Sequence, residues 1–278
     1  MATNPNPTLT LIPYGGLGNR LRVLNSAFGL GRDLGAEVEL IWFKKWELNS
    51  DLEALFASTG YSYTPAGPAK VAMLKPILKH IWIQQYEGLY RKVLSLFYDK
   101  VYFDSDVITL TPAQLRADAA RYRRVLIATC YQFYEFDSFD NYEIAPAIRR
   151  RVDTLTEPFD EHTVGVHIRR TDHAALIASS PLELFVSHMN RLVEENPAVR
   201  FFLATDDEEV KQSLQQQFGH RLLTQQTPLA RDSQEGMVGA VVDIYALSKT
   251  RTIICTTKSS FAKMAAMIGP KKEIIEVA

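Results

Sequence analysis

The stretch TVGVHIRRTD, residues 163–172, decides the fold. Its first six residues are mostly apolar and β-branched, which predicts a buried strand from Thr163 to Ile168. Charged side chains begin where this strand ends. Downstream, strands are predicted at 200–204, near 221, at 252–255 and at 273–277, and they alternate with helices that begin at 181, 207, 236 and 260. This alternation predicts a doubly wound α/β domain.

Upstream of this stretch, the same alternation is weaker. An apolar run over residues 8–14 breaks into Gly15-Gly16-Leu17-Gly18-Asn19, and apolar residues then recur at helical spacing until the next strand at 38–42. This is a strand, a glycine turn, a helix and a strand, or one βαβ unit. Strands at 100–103 and 124–129 continue the α/β pattern. Pro and charged residues at 156–162 predict a boundary between a domain of residues 1–158 and a domain of residues 159–278.

Composition limits the class of protein. The chain has 278 residues, of which 46% are hydrophobic and 23% charged, so it is globular, and its net charge of −1 provides no overall attraction to nucleic acid or to an anionic membrane. Any basic site must be local. No run of 18 apolar residues occurs, and the two cysteines, Cys130 and Cys255, have no metal-ligand spacing. We therefore expect a cytoplasmic protein without stable membrane insertion.

Ligands of open α/β sheets bind beyond the carboxyl ends of the strands. The glycine turn at Gly15 to Gly18 follows the first strand, and its backbone can approach a phosphate while the next helix offers free N–H groups. A dinucleotide fingerprint is incomplete here because Leu21 stands where Gly or Ala is needed, although Glu37 or Glu39 has the spacing of a ribose-binding acid. A tight turn without any ligand remains the alternative.

Arg169 and Arg170 leave the strongest strand side by side. Guanidinium groups bind phosphate oxygens in a bidentate manner, so this pair favours a diphosphate ligand. A structural network with Asp172, Asp206 or Asp207 is the alternative. Asp207 also has the position of a helix N-cap.

A fourth group of candidates lies near the C-terminus. Asp243 is placed in an otherwise apolar helix, where a carboxylate needs a partner, and the paired N–H donors of a guanine edge would supply one. A solvent-facing Asp243, or one paired with an arginine, is the alternative. Thr256, Thr257, Ser259 and Ser260 follow the strand at 252–255 and open the last helix, which makes them a candidate phosphate cradle.

Four motifs in this order resemble the GDP-fucose-dependent fucosyltransferase superfamily, especially the α1,6-fucosyltransferases and bacterial nodulation fucosyltransferases, and the first motif also resembles α1,2-fucosyltransferases. They are GGLGNRL at 15–21, VGVHIRRTD at 164–172, FFLATDDEEV at 201–210 and GAVVDIYALSKTRTIICTTKSS at 239–260. The similarity is dense from residue 163 onward and thin before it.

The resemblance implies two Rossmann-like α/β domains of the glycosyltransferase B type (GT-B), with the acceptor side in the N-terminal domain and the nucleotide sugar in the C-terminal domain. It further implies inverting transfer of fucose from GDP-fucose to a glycan hydroxyl, without a metal or other cofactor. The implied donor-binding residues are Gly16, Gly18, Asn19, His167, Arg169, Arg170, Asp206, Asp243, Ser259 and Ser260. Among them Arg169 would contact the diphosphate, His167 and Asp243 the nucleoside end, and Ser259 with Ser260 the β-phosphate.

The chain departs from the α1,6 enzymes at the general base. Those enzymes have a glutamate shortly after the HxRRTD motif, whereas this chain has Ile177 there and no acid between Asp172 and Glu183. Transfer needs a base for the acceptor hydroxyl and cations for the leaving group. We therefore predict Arg169 and Asp172 as the catalytic residues, with His173 and Glu183 as the other candidate bases.

Two other functions remain open from the sequence. Asp104-Ser105-Asp106 follows a strand and could hold a divalent metal in a metal-dependent A-type glycosyltransferase. The missing glutamate also leaves open a noncatalytic module that binds a sugar nucleotide or a glycan.

Overall fold

The computed structural model of the chain describes residues 6–81, 83–136, 138–170, 180–226, 232–270 and 272–278. The chain divides into two compact units. The first comprises Met1–Glu47 and Thr59–Asp137, and the second comprises Leu48–Ser58 and Ser138–Ala278.

The first unit is built on a five-stranded parallel sheet. Its strands are β1 (Thr8–Pro13), β2 (Glu37–Leu40), β4 (Thr64–Pro65), β5 (Lys100–Tyr102) and β6 (Arg124–Thr129), in the order β4-β2-β1-β6-β5. Its helices are α1 (Leu17–Leu34), α3 (Pro68–His80), α4 (Glu87–Leu94), α5 (Asp104–Val107) and α6 (Pro112–Ala119), with a 3-10 turn at Gln84–Tyr86. Strand β1 is buried along nearly its whole length, as expected of a central parallel strand covered on both faces.

The second unit has its own five-stranded parallel sheet. Its strands are β8 (Thr163–Ile168), β9 (Arg200–Thr205), β10 (Leu222–Leu223), β11 (Thr252–Thr256) and β12 (Glu273–Val277), in the order β10-β9-β8-β11-β12. The helices are α2 (Leu52–Leu55), α7 (Pro146–Thr156), α8 (Leu182–Glu195), α9 (Glu208–Phe218), α10 (Gln234–Leu247) and α11 (Ser260–Ala266), with a 3-10 turn at Gly219–Arg221. This strand order is that of a Rossmann fold, whose ligand crevice lies where the order reverses, here between β8 and β11.

Two segments before residue 158 pack in the second unit. Strand β3 (Phe56–Ser58) pairs antiparallel with β7 (Glu143–Ile144), and helix α7 packs against α10. The ring of Phe56 lies edge-on to Tyr142 at 5.1 Å, and the Tyr245 hydroxyl donates to the Tyr142 carbonyl at 3.0 Å. The boundary predicted at residue 158 therefore falls inside this unit, after α7.

A glycine inside β8 lets the sheet approach its covering helix. A Cβ added at Gly165 would lie 2.9 Å from Cδ2 of Leu247, the last residue of α10, and 2.8 Å from Thr250 Oγ1 in the turn that follows. Because such contacts are closer than real Cβ atoms tolerate, this position requires glycine. The close contact at Gly165 thereby holds β8, which leads into the candidate site, against α10.

The secondary structure predicted for the second half is confirmed, including the helix before β9. The sequence Ser180-Pro181-Leu182-Glu183 has a Ser and a Glu three residues apart, which predicts a capping box at the start of this helix, and this prediction is wrong. Helix α8 begins at Leu182 without a side-chain cap. The Ser180 hydroxyl instead donates to the Val277 carbonyl at 2.5 Å and accepts from the Thr257 amide at 3.3 Å. Contacts with two other strand ends have displaced the local cap.

Candidate active site

The reversal of strand order in the second sheet brings together residues from the ends of β8 and β11. His167, near the end of β8, pairs through Nδ1 with the Ser259 hydroxyl at 3.1 Å. The Arg169 amide donates to Thr256 Oγ1 at 3.1 Å. These two hydrogen bonds join the loops on either side of the crevice where a doubly wound sheet binds its ligand.

His167 is held on a second side by an aromatic ring. The imidazole is buried and stacks on Phe261, with ring centroids 4.7 Å apart and planes 16° apart. Ser259 is the N-cap of α11 and accepts from the Ala262 amide at 3.1 Å. The cap hydroxyl therefore links the start of α11 to β8, so the amide-rich end of this short helix is fixed beside His167.

The turn between β11 and α11 has an unusual backbone. Lys258 has a φ of 57°, a left-handed conformation that residues with a Cβ rarely adopt. The Glu276 carboxylate on β12 accepts from the Lys258 amide at 3.1 Å and lies 3.4 Å from Lys263 Nζ. The hydrogen bond from this amide is the main reason that the pKa of Glu276 is lowered. Glu276 thus stabilises the strained turn in front of Ser259 and Ser260.

The next loop along the sheet is also fixed by hydrogen bonds. The Arg170 amide donates to Asp206 Oδ1 at 2.7 Å, and Asp207 caps α9 by accepting from the Val210 amide at 3.0 Å. Asp206 therefore supports the backbone that carries Arg170, and the predicted N-cap role of Asp207 is confirmed. The side chains of Arg169 and Arg170 are half-buried.

Asp243 lies on α10 in a different set of contacts. Its side chain is buried, and Oδ1 accepts no hydrogen bond from any described residue. Gln225, which follows β10, hydrogen-bonds to the Asp243 carboxyl, and its Nε2 donates to the Gly239 carbonyl at 2.8 Å. Burial raises the pKa of Asp243 to about 8, and the Gln225 hydrogen bond and the charges of Lys211 and Arg151 only partly oppose it. A buried carboxyl oxygen without a donor favours a ligand that supplies one.

The glycine turn of the first unit has a backbone suited to close approach. Gly15 has a φ of 81°, and Gly16 is the N-cap of α1, where an added Cβ would meet no described residue within 4 Å. Packing against the described residues thus does not require a glycine at position 16. The Asn19 side chain accepts from Arg22 Nη2 at 2.7 Å, which orients it within the first turn of α1.

Arg20 holds this turn in place. Its fully buried guanidinium donates to the carbonyls of Gly15 at 2.9 Å and Phe43 at 2.6 Å, and it lies over the Trp42 ring at 5.1 Å. Burial lowers the pKa of Arg20 to about 10, so the side chain is still charged at neutral pH. Arg20 therefore joins the glycine turn to the segment after β2.

Glu39, a candidate ribose-binding acid, is instead engaged by side chains of the first unit. It accepts from Thr10 Oγ1 at 2.8 Å and pairs with Lys70 at 2.7 Å. The dinucleotide interpretation therefore loses Glu39 as its ribose-binding acid. Glu37 is exposed.

The two aspartates of the D-x-D sequence also have partners within the first unit. Asp104 Oδ1 accepts from Thr129 Oγ1 at 2.5 Å and from the Cys130 amide at 3.2 Å. Asp106 accepts from the Phe103 amide and pairs with Arg91 at 2.7 Å. In the described part of the chain, no three His, Cys, Asp or Glu side chains are grouped to hold a metal.

The candidate bases are only partly placed. Asp172 and His173, like Ile177, lie outside the described residues. Glu183 is in the first turn of α8, where its side chain is exposed.

Residues 141–269 match the family described as Alpha-(1,6)-fucosyltransferase N- and catalytic domains. The predicted resemblance to the fucosyltransferases is confirmed. The matched segment includes β8, β9, α10, β11 and the start of α11, and therefore every donor-binding candidate of the second unit. The prediction of a glycosyltransferase of the fucosyltransferase type is likewise confirmed.

Solved structures of fucosyltransferases share the fold over nearly the whole chain. NodZ α-1,6-fucosyltransferase co-crystallised with GDP is 18% identical, with a TM-score of 0.65 over 95% of this chain and 93% of that chain; NodZ has also been solved from Bradyrhizobium. A FUT1 variant from Arabidopsis thaliana, in complex with GDP, is 12% identical with a TM-score of 0.65 over 98% of this chain and 71% of that chain. POFUT1 in complex with GDP-fucose is 12% identical with a TM-score of 0.55 over 100% and 99%. The predicted class, two Rossmann-like units of the GT-B type, is confirmed.

Several residues that shape the site were not singled out from the sequence. Glu276 contacts Lys258, and Gln225 contacts Asp243, and in both cases the two residues are 18 positions apart in the sequence. Phe261 resembles an ordinary apolar residue of a helix. Arg20 carried a signal, because an arginine in the apolar helix after a glycine turn needs a buried partner.

Proposed function

We propose that the chain transfers fucose from GDP-fucose to a hydroxyl of a glycan, with inversion at the anomeric carbon and without a metal ion. The observation that carries this proposal is the joined pair of loops at the β8–β11 crevice. There His167, Ser259 and the Arg169 amide form one hydrogen-bonded group at the position where a doubly wound sheet binds a nucleotide. The known binding of GDP or GDP-fucose by NodZ and POFUT1 supports the choice of donor.

The nucleoside end is assigned to His167 and Asp243. The edge of guanine presents two adjacent N–H donors, which match a carboxylate, and Asp243 has a buried oxygen that no described residue satisfies. A hydrogen bond to a charged partner contributes about 1.5–3 kcal/mol to the free energy of binding, so this contact would make the site prefer guanine to uracil.

The diphosphate is assigned to the two arginines and the last helix. Arg169 and Arg170 provide positive charge at the end of β8, and Ser259 and Ser260 lie at the amide-rich start of α11. Asp206 positions the Arg170 backbone. Gly16, Gly18 and Asn19 are the proposed phosphate contacts from the first unit, where a Cβ added at Gly16 would meet no described residue within 4 Å.

These cations would do the work that a divalent ion does in other glycosyltransferases. As the bond from fucose C1 to the β-phosphate oxygen breaks, negative charge grows on that oxygen, and guanidinium groups stabilise it. The acceptor oxygen bonds to C1 from the opposite face, GDP leaves, and the acceptor proton passes to a base.

Asp172 is the proposed base. It follows two arginines, whose charges favour its ionised form but weaken it as a proton acceptor. Such a base suffices when the bond to fucose is largely broken before the acceptor loses its proton. His173 and Glu183 are the alternatives.

Transfer to glycans, detected by mass spectrometry as a gain of one fucose, tests this proposal. Asp172→Asn should lower the transfer rate by roughly 10² to 10⁴, the usual range for loss of a general base, while GDP still binds. Glu183→Gln is the matched variant and should transfer like the wild type. Normal transfer by Asp172→Asn would exclude Asp172 as the base. If the chain binds GDP-fucose but neither hydrolyses nor transfers it, the protein is a binding module.

A cytoplasmic location is part of the proposal. Cys130 and Cys255 are both free thiols, and a reducing compartment keeps them so. No helix among the described residues has the length and apolar character needed to cross a bilayer.

A further inference from the structure

One surface of the first unit exposes apolar side chains at helical spacing. Helix α4 and the residues beside it expose Tyr86, Leu89, Val93, Leu96 and Phe97, with Leu89 60% and Leu96 74% exposed. Tyr86, Leu89 and Val93 follow one another at steps of three and four residues, which places them along one side of the helix. Leu96 and Phe97 lie in the turn directly after its last residue, Leu94. We call all of these exposed side chains the α4 stripe. Tyr90 and Leu94, which are the next residues after Leu89 and Val93, are buried, so the stripe is a second apolar face beside the buried one.

Helix α3 lies beside α4 over the same core. Leu74 and Ile77 of α3 join Tyr90 and Leu94 of α4 in one buried cluster. The rings of His80 and Tyr86 lie 6.5 Å apart, where the two helices approach each other. Because the buried faces of the two helices point into one cluster, exposed side chains of α3 extend the surface that carries the α4 stripe, and they include Met73, Lys75 and Lys79.

This surface is basic although the chain as a whole is not. From Pro68 to Tyr98 the sequence has five Lys or Arg residues and one acid, whereas the whole chain has a net charge of −1. Lys70 and Arg91 are paired with acids of the first unit. Lys75, Lys79 and Lys92 are exposed, and no acidic side chain of a described residue forms an ion pair with any of them.

We propose that this surface binds an anionic lipid bilayer, with the α4 stripe at the boundary between headgroups and acyl chains and the three lysines on the headgroups. An amphipathic helix with aromatic and leucine residues on one face and lysines beside it is suited to lie in the plane of a bilayer. Charge complementarity argues against a second copy of this chain, because two-fold pairing would bring the same lysines together. This attachment is peripheral, and it is independent of the donor site on the second unit.

Vesicle cosedimentation of the purified full chain tests the proposal. We expect the protein to sediment with phosphatidylcholine vesicles that contain phosphatidylglycerol, and not with phosphatidylcholine alone. The double variant Leu89→Glu/Leu96→Glu should reduce the bound fraction by at least roughly tenfold, since it replaces the two most exposed apolar side chains of the stripe with charged ones. The triple variant Lys75→Glu/Lys79→Glu/Lys92→Glu should do the same, because each lysine near an anionic surface contributes to attraction.

Matched variants elsewhere control for general effects of charge and exposure. Ile108→Glu changes an isoleucine of the first unit that is 61% exposed, and Lys249→Glu changes an exposed lysine of the second unit. Both should bind vesicles like the wild type. Because all substituted side chains are exposed, melting temperatures should stay close to that of the wild type.

Three results would overturn the proposal. The first is equal binding of the wild type to neutral and anionic vesicles, or binding to neither. The second is undiminished binding by the stripe or lysine variants. The third is a dimer, measured by light scattering, that Leu89→Glu/Leu96→Glu converts to a monomer, because the stripe would then be covered by a second copy.

Discussion

Replacing Asp243 with asparagine tests, through the pH dependence of stability, whether the carboxyl proposed to bind the nucleoside is buried and protonated. Burial raises the pKa of Asp243 to about 8 in the folded protein, whereas an aspartate in an unfolded chain has a pKa of about 3.9. Between these values the folded state holds a proton that the unfolded state releases. The free energy of unfolding therefore falls as pH rises through this interval, by up to about 1.4 kcal/mol per pH unit, until the folded protein also loses the proton.

The variant should lose this slope. Between about pH 5 and pH 7 the Asp243 carboxyl lowers the wild-type free energy of unfolding by at most about 3 kcal/mol, whereas asparagine does not titrate. Chemical denaturation at both pH values measures the difference, and Asp153→Asn, at an exposed acid of α7, is the matched control. We expect Asp153→Asn to keep the wild-type slope. An unchanged slope in Asp243→Asn would contradict the buried, protonated carboxyl.

GDP binding should depend on the same proton. A carboxylate accepts from both N–H donors of guanine, but a protonated carboxyl does not, so binding releases a proton and GDP affinity should rise with pH up to about 8 in the wild type. Calorimetry in two buffers of different ionisation enthalpy measures the number of protons released, because the observed binding enthalpy then differs between the buffers. Asp243→Asn should weaken GDP binding by roughly 10- to 100-fold, because one hydrogen bond to a charged group is lost. Unchanged affinity together with a large fall in melting temperature would make Asp243 a structural residue.

Three further substitutions test the diphosphate end. Arg169→Lys should remove roughly 2–4 kcal/mol of transition-state stabilisation, because an ammonium cannot form a bidentate contact with the diphosphate. The measurement is kcat/KM, with Arg251→Lys at an exposed arginine as the control. Transfer close to that of the wild type would exclude Arg169 from the mechanism. Ser259→Ala should lower the free energy of unfolding by about 1 kcal/mol through loss of the N-cap, and it should also weaken GDP binding. A GDP affinity equal to that of the wild type would show that Ser259 acts only as a cap. Glu276→Gln should relax the Lys258 turn and weaken GDP more than guanosine in calorimetry, and an equal loss for both would contradict a role at the phosphates.

The sequence predicts well those elements whose signals are local. Strand β8 is an apolar run that ends in two arginines, and both the strand and its functional end are visible without any partner. The capping box at the start of α8 was wrongly predicted because the Ser180 hydroxyl donates to the Val277 carbonyl, a contact that local sequence rules do not include. Likewise β3 and β7 pair across about 85 residues of chain, which moves residues 48–58 into the second unit.

The candidate site divides in the same way. Its residue types were predicted from the motifs, since arginines, glycines and hydroxyls stand directly after strands. The residues that hold these side chains in place were not predicted, because Glu276 and Gln225 contact residues that only tertiary packing brings close to them. The α4 stripe was also missed, since residues 44–100 keep neither helical nor strand periodicity for long, and exposure becomes visible only when the core is known.

The most direct test of the proposed function is a calorimetric titration of the wild-type chain with GDP-fucose in EDTA, compared with a UDP sugar under the same conditions. The account predicts that GDP-fucose binds in EDTA and that the UDP sugar binds more weakly, because Asp243 would recognise guanine and arginines would hold the diphosphate. Tighter binding of the UDP sugar, or binding of GDP-fucose only after Mn²⁺ or Mg²⁺ is added, would contradict it.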